Sequence, residues 1–422
     1  MFSRALCVLS AGLLVAQTAQ DPTAIARKAL DLLLAQNYPE YSAMAAPGYK
    51  STMTEQAFGK LTTEIKSWGT VQRTGDPSVQ NMGPTSLVTF AVEFASRNIS
   101  FRFAINASGQ VSAMYPMPGE APWQRPPYSR PDSFKERQVT FGENPWKLPG
   151  TLAVPNGEGP FPAVVMVQGF GAKDRDDTTS ALKPFRDLSD GLASRGIVVL
   201  RYDKRSRQYP SRMSGKPYTA DDETIADAGA ALAFIRAQPG VDPKRVFLLG
   251  HDLGGYLAPR IAAEDEALAG LIIMAANERP LEDVMFDQLQ YIGVAGKDLD
   301  LAKAAVARVK NLEPSDADAP AVLGLPVAYW LNLKGYDPAA EAKKLKMPLL
   351  VLQGERDFQV TMKDFNLWKA GLAGRKDVTA RSYPALDHLF VAGEGKSTEA
   401  EYRKPGHVAP EVVDDIAKFM GK

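Results

Sequence analysis

From Lys135 onward, strand-length runs alternate with stretches whose apolar residues recur at helical spacing. The runs are Ala163–Gln168 (AVVMVQ), Ile197–Asp203 (IVVLRYD), Val246–Gly250 (VFLLG), Gly270–Met274 (GLIIM), Pro348–Gly354 (PLLVLQG) and Thr379–Pro384 (TARSYP). A helical pattern such as Asp221–Gln238 lies between them. Continuous apolar strands separated by helices predict a parallel sheet covered on both faces, an α/β architecture. Two earlier runs, around Gln138–Phe141 and Thr151–Val154, are expected to add antiparallel edge strands. The interval from about 277 to 346 is too long for an ordinary connection and carries helical patterns and aromatics of its own. It predicts a helical lid inserted over the carboxyl ends of the strands.

The first part of the chain is patterned differently. Asp21 followed by Pro22 is a helix start, a capping acceptor and then a residue with no N–H to leave unsatisfied. Ile25, Ala29, Leu32 and Leu33 continue at helical spacing until Tyr38 and Pro39. Further on, Ser86–Phe94 and Ile99–Ile105 are rich in β-branched and aromatic residues. Together they predict a small α+β domain over 21–115. The prolines of Pro116–Pro131 fix φ and remove donors, which predicts a linker over 116–134 and an α/β domain over 135–422. Before all of this, residues 1–20 carry Arg4, an apolar run from Ala5 to Val15 and then small and polar residues. That is the pattern of a secretory signal peptide, and it predicts a secreted or periplasmic protein; a retained N-terminal anchor is the alternative. The only cysteine, Cys7, lies inside this segment, so the remaining chain has no disulfide, thiol nucleophile or Cys-ligated zinc available.

Charge narrows the partners. Lys and Arg together balance Asp and Glu at 49 each, for a formal net charge of zero. There is no electrostatic reason to expect nucleic acid, or an anionic membrane once the signal is removed, which leaves a small-molecule substrate. No His-x-x-x-His pair or carboxylate cluster appears, so neither metal nor cofactor is implied.

The densest chemistry lies in VFLLGHDLGGYLAPRIA, from Val246 to Ala262. An apolar strand stops at Gly250, and the pair Gly254-Gly255 opens a helix, leaving Asp252 at the tip of a sharp turn. Two features beyond it fit one pattern. Asp357 follows the strand ending in LQG, and His388 follows the last strand in YPALDHLF. Carboxyl ends of strands are where open α/β sheets place their sites. Asp387 adjoins His388 and Glu355 lies near Asp357, so either competes for the role of orienting the imidazole. Neighbours on an extended segment point to opposite sides, which favours Asp357 over Asp387. Of the other two histidines, His251 is expected to pack or hydrogen-bond beside the turn, and His407 to be structural.

GHDLGGYLAPRIA, LRYDKRS, LQGERDFQV and DHLF together resemble an exported α/β-hydrolase family, related to carboxylesterases and to dienelactone-hydrolase-like and prolyl-oligopeptidase-like enzymes. The resemblance runs from about Lys135 to the C-terminus. It implies an α/β-hydrolase fold with a nucleophile elbow and a nucleophile–acid–histidine order, here Asp252, Asp357 and His388. It also implies an oxyanion hole from the N–H of Leu253 and, in the loop VQGFG, that of Phe170. The charged run Lys173–Asp177 in that loop either clamps the lid by ion pairs or is solvated. By element order, the 21–115 domain resembles the cystatin-like or nuclear-transport-factor-like domains ahead of some exported hydrolases.

The chain departs from the family at one decisive residue, with Asp252 where a serine is usual. It also has Gln168 where His-Gly is frequent and Ser206 where a glycine often follows RYDKR. An elbow aspartate is similar to that of haloacid and haloalkane dehalogenases and epoxide hydrolases, where the carboxylate attacks an sp³ carbon and histidine then activates water. Leu253, however, stands where a dehalogenase often has a halide-binding tryptophan. The lid aromatics Tyr291, Tyr329, Trp330 and Tyr336 are candidates for contact with substrate, Tyr329 and Trp330 foremost. Three readings follow. The first is an esterase-like hydrolase acting on a small ester-type substrate with Asp252 as nucleophile or base. The second is a dehalogenase or epoxide hydrolase. The third is a non-catalytic binding protein or a Ser-to-Asp variant of a serine esterase.

Overall fold

The computed structural model describes residues 21–421. The expected signal segment 1–20, with Cys7, lies outside the described residues.

Asp21 caps the helix Pro22–Leu34 by accepting from the Thr23 N–H, and Ile25, Ala26, Ala29, Leu30 and Leu33 form its buried stripe. Three further helices follow, Tyr38–Met44, Pro47–Thr52 and Glu55–Ser67. Next comes an antiparallel sheet of β1 (Val71–Thr74), β2 (Ser78–Met82), β3 (Thr85–Phe94), β4 (Asn98–Ile105) and β5 (Val111–Pro118). Along β3 the buried positions alternate, and Val88, Phe90, Val92 and Phe94 join the helix stripe in one apolar core. β5 runs three residues past the linker boundary expected at 116, with Phe101 opposite Pro116 and Ile99 opposite Pro118. It lies at the end of the order β1-β3-β4-β5, and an edge strand has a free side on which a missing proline N–H costs no ladder bond.

Residues 119–130 contain neither helix nor strand, yet they are fastened to the α/β part. Trp123 Nε1 donates to Asp187 Oδ1 at 2.8 Å, Ser129 Oγ to Asp190 Oδ2 at 2.8 Å, and the Tyr128 hydroxyl to the Val408 carbonyl at 2.8 Å.

The second sheet contains β6 (Phe134–Phe141), β7 (Leu148–Pro155), β8 (Phe161–Val167), β9 (Val198–Tyr202), β10 (Val241–His251), β11 (Gly270–Met274), β12 (Leu349–Gly354) and β13 (Val378–Tyr383). Their order is β13-β12-β11-β10-β8-β9-β7-β6, parallel except for the antiparallel β6 and β7. Because β7 pairs with both β6 and β9, of these two antiparallel strands only β6 is an edge strand, which corrects the expectation that both would be. Period-two alternation explains the continuous apolar runs. Ala163, Val165 and Val167 enter one core with the helices Ala226–Arg236 and Leu253–Ala263, while Val164 and Met166 enter another with Pro184–Ala193 and Pro410–Met420.

Between β11 and β12 lie the helices Leu281–Tyr291, Gly296–Lys310, Val327–Leu333 and Pro338–Lys344. Gly296–Lys310 buries only Ala302 and Val309. By contrast, Val327, Tyr329, Trp330, Leu333, Ala339 and Ala342 are continuous with the core of the sheet. Much of this interval is therefore core rather than cover.

Candidate active site

β10 lies near the middle of the sheet and delivers Asp252 at its carboxyl end. Asp252 has φ 52° and ψ −121°, a backbone region that side chains other than glycine occupy at a cost of about 1–3 kcal/mol. The turn is held on both sides: the Asp252 N–H donates to the Met274 carbonyl at 3.0 Å, and its own carbonyl accepts from Tyr256 at 2.9 Å. Close packing requires glycine at 254, where a Cβ would lie 2.2 Å from the Val167 carbonyl oxygen. The helix that starts at Leu253 thus abuts the end of β8 with its amino end beside the Asp252 carboxylate, where the helix dipole favours negative charge.

The carboxylate has a specific partner. Asp252 Oδ2 accepts the Phe170 N–H at 2.8 Å. The backbone at 169 comes so near that a Cβ there would meet Oδ2 at 2.6 Å. Phe170, expected to donate to a substrate oxyanion, is therefore engaged by the second oxygen of Asp252 itself. Leu253, the other expected donor, is buried and opens the helix, so its N–H has no intrahelical acceptor.

His388 and Asp357 meet at 2.8 Å, Nδ1 to Oδ2. Asp357 is fixed by three further donors: Gln353 Nε2 at 2.9 Å on Oδ2, and the N–H groups of Gln359 at 2.8 Å and Val360 at 2.9 Å on Oδ1. The competing carboxylates are spent elsewhere. Asp387 Oδ1 accepts the N–H groups of Leu389 and Val391 in its own turn, and Glu355 accepts from Ser382 Oγ. With Nδ1 taken, His388 has Nε2 left for chemistry.

Charge around His388 is unusual. Burial alone would lower its pKa, but the carboxylate of Asp357 outweighs it, and Asp252 and Asp387 add to the effect. The imidazolium is pushed up to about 9. Asp387 is in turn pushed up to about 6 by burial, against the two N–H groups it accepts.

A second His–Asp pair sits beside the first. His251 Nδ1 lies 2.7 Å from Asp177 Oδ2, and its Nε2 donates to the His388 carbonyl at 3.0 Å. The two imidazole centroids are 4.7 Å apart. Asp177 is held well below the usual carboxylate range, since Lys173 and His251 overcome its burial. The Lys173–Asp177 run consequently neither clamps a lid nor lies in solvent. Arg175 pairs with Asp203 at 2.7 Å, and Asp176 with Lys183 at 3.1 Å and with Arg201, tying the loop to the sheet. His407 lies against Asp187 of the helix Pro184–Ala193, at 3.2 Å.

Asp252 and His388 line one cavity of about 210 Å³. Its other walls come from the loop after β8 (Gly169, Phe170, Lys173, Asp177, Thr179), from His251, from the helix Leu281–Tyr291 (Leu281, Val284, Met285, Gln288) and from Gln359 and Leu389. Tyr329 and Trp330 are not among the lining residues, which corrects the expectation of substrate contact. Tyr329 is fully buried with its ring 5.8 Å from that of Tyr218, and Trp330 donates its indole N–H to the Val322 carbonyl at 2.8 Å. Tyr291 and Tyr336 donate their hydroxyls to the carbonyls of Ser397 and Tyr256, at 2.9 and 3.0 Å. An apolar stripe that alternates with polar positions reads equally well as core or as pocket wall, and here Tyr329 and Trp330 are core while Tyr291 and Tyr336 are half-buried, each against an apolar cluster.

Asp177, Gln353 and the wall from Leu281 to Gln288 were not singled out from sequence. Only Asp177 carried a signal, an acid at the end of a loop already assigned to the site.

Comparison with known proteins places the chain in a family. The model of the alpha/beta hydrolase family matches residues 164–401. Over 340 residues the chain is 38% identical to esterase EstD of Thermotoga maritima, covering 80% of this chain and 80% of that protein. Over 136 residues it is 30% identical to the quorum-quenching protein AidA of Acinetobacter baumannii, covering 32% of this chain and 41% of that one. Among solved structures, ferulic-acid-bound Est1E from Butyrivibrio proteoclasticus aligns with a TM-score of 0.47 at 16% identity, over 67% of this chain and 100% of that one.

Proposed function

Because the chain belongs to the alpha/beta hydrolase family, and is an esterase-like member of it, we propose that it hydrolyses small esters through a covalent intermediate on Asp252. The observation that carries this reading is the Phe170 N–H on Asp252 Oδ2. With Oδ2 in the donor site, Oδ1 is the oxygen left to attack, and a carboxylate needs no base to remove a proton first. His388 is mostly imidazolium at neutral pH, so it acts first as an acid. Oδ1 adds to the ester carbonyl, the C–O bond to the alcohol breaks, and His388 Nε2 protonates the departing alkoxide.

The product of that step is an acyl-Asp252 anhydride and a neutral His388. The negative charge on Asp252 is gone, which makes the imidazole easier to keep neutral. Water then attacks Cγ of Asp252 while His388 takes one of its protons. Negative charge develops on Oδ2, where the Phe170 N–H already stands. Collapse releases the product carboxylate, and the aspartic acid left behind returns its proton to solvent. The cavity of about 210 Å³ suits a small acyl group.

Attack at an sp³ carbon, as in dehalogenases and epoxide hydrolases, would use the same second half. It would need a donor for the leaving halide or alkoxide, and the hydroxyls of Tyr291 and Tyr336 are already committed to backbone carbonyls. That favours the ester reading.

Single turnover of an alkyl ester in heavy-oxygen water tests the proposal. We expect the label in the peptide that contains Asp252. Turnover with all label in the released acid and none in Asp252 would overturn the nucleophile assignment. Turnover that appears only in Asp252→Ser would support a serine esterase that has lost its nucleophile.

A further inference from the structure

The Gly169 carbonyl and the Phe170 N–H belong to one peptide unit, and in a trans peptide these two bonds point in opposite directions. On one side the N–H meets Asp252 Oδ2 at 2.8 Å. On the other side the Gly169 oxygen accepts from Lys204 Nζ at 3.2 Å. Lys204 lies just beyond β9 and is only 2% exposed. Its ammonium is 3.4 Å from Glu223 Oε2, also buried, and Ser206 Oγ donates to the other oxygen of Glu223.

A buried ammonium is costly even when paired, and apolar residues of similar volume often serve stability as well or better. Stability therefore gives little reason for a lysine here. Its contacts suggest another. The same end of β9 holds the loop twice more: the Tyr202 carbonyl accepts from Gln168 Nε2, and the Lys204 N–H donates to the Lys173 carbonyl at 3.1 Å.

We propose that Lys204, itself held by Glu223, is a positioning residue that clamps the Gly169 carbonyl and so aims and polarises the Phe170 N–H at Asp252. The clamp fixes the rotation of the peptide plane. A charged donor on the carbonyl also strengthens the N–H at the other end of the same unit, as hydrogen bonds in a chain polarise one another. This role depends on the geometry of one peptide, and it stands whether or not Asp252 forms a covalent intermediate.

The test is Lys204→Met combined with Glu223→Gln, which removes the clamp without leaving a buried charge unpaired. With phenylalanine labelled in ¹⁵N, the Phe170 amide is identified by its loss in Phe170→Leu. In the double variant its proton signal is expected to move upfield and to exchange faster with solvent. Ester turnover, where measured, is expected to lose kcat with KM nearly unchanged, approaching the roughly 10²–10³-fold loss that follows removal of an oxyanion donor. An unmoved Phe170 amide in a folded double variant overturns the proposal. A second measurement needs no substitution: the Gly169 carbonyl carbon of the unaltered protein is expected downfield, as for an acceptor of a charged donor. An ordinary glycine position for that carbon also overturns it.

Discussion

At position 252 a carboxylate stands where the family usually has an alcohol, and under the proposed mechanism the exchange reverses the proton traffic of the site. A serine must lose its proton to an imidazole base, whereas Asp252 is ready to attack and needs an acid for the leaving alkoxide. The shift at His388 suits that order, because burial is outweighed by Asp357, Asp252 and Asp387 and the imidazolium persists to about 9. The value of kcat/KM for an unactivated alkyl ester is therefore expected to fall as pH rises through about 9. In Asp252→Ser the sign reverses, and activity rises with pH, with a lower midpoint because one nearby negative charge is gone. A pH profile of both proteins on one substrate checks this, and a wild-type profile that rises through the same range would sink the acid-first mechanism. The same shift acts on stability. Since the folded value lies above the unfolded one, its contribution is complete below about pH 6.5 and is lost as pH rises through about 9. Asp252, His388 and Asp357 could be read from sequence because chain order and strand ends constrain them tightly. The Asp177–His251 pair could not, since its partners lie 74 positions apart and meet only when the loop after β8 folds back.

Among the elements, the helix Leu281–Tyr291 is expected to limit the size of the acyl group. Leu281, Val284, Met285 and Gln288 fall at i, i+3, i+4 and i+7, so one face of this single helix forms a wall of the cavity. Met285→Ala should admit longer acyl chains and Val284→Phe should exclude all but the shortest. Each added or removed methylene is worth about 1–3 kcal/mol, or roughly 10–200-fold in relative kcat/KM. A series of esters of increasing acyl length measures the shift; an unchanged preference in both variants would assign selectivity to another wall. The helix itself was legible as a pattern between two strands. Its orientation was not, because an amphipathic stripe shows that one face is covered without showing what covers it. The same ambiguity led to Tyr329 and Trp330, whose rings fill the core.

For the molecule as a whole, the α+β part and the α/β part are joined by more than the chain. Arg186 pairs with Asp76 at 2.5 Å and lies 3.9 Å over the ring of Trp123, whose indole N–H reaches Asp187. Asp187 also accepts the Val408 N–H at 3.0 Å, so one carboxylate joins the strap to the segment before the last helix. Trp123→Ala removes a cation–π contact of about 0.5–2 kcal/mol and one hydrogen bond, and should lower Tm by about 1–2 °C per kcal/mol lost. Calorimetry would show whether the single variant also splits the transition in two; an unchanged Tm would mean that the strap carries no weight. From sequence, the prolines of 116–131 read only as a break between domains. Proline content shows where regular structure stops, and the bonds formed there depend on residues about 60 or more positions away.

Gly169 and Asp252 also bear on how such a chain can change over time. Any side chain at 169 would strike the second carboxylate oxygen at 2.6 Å and Cβ of Asp252 at 3.0 Å. With serine at 252 the first collision disappears and the second remains only as a tight contact. The two positions are therefore not free to drift independently. A substitution at 169 would force the Asp252 carboxylate out of its contact with the Phe170 N–H, so the geometry that positions the acid also fixes which residue can precede Phe170.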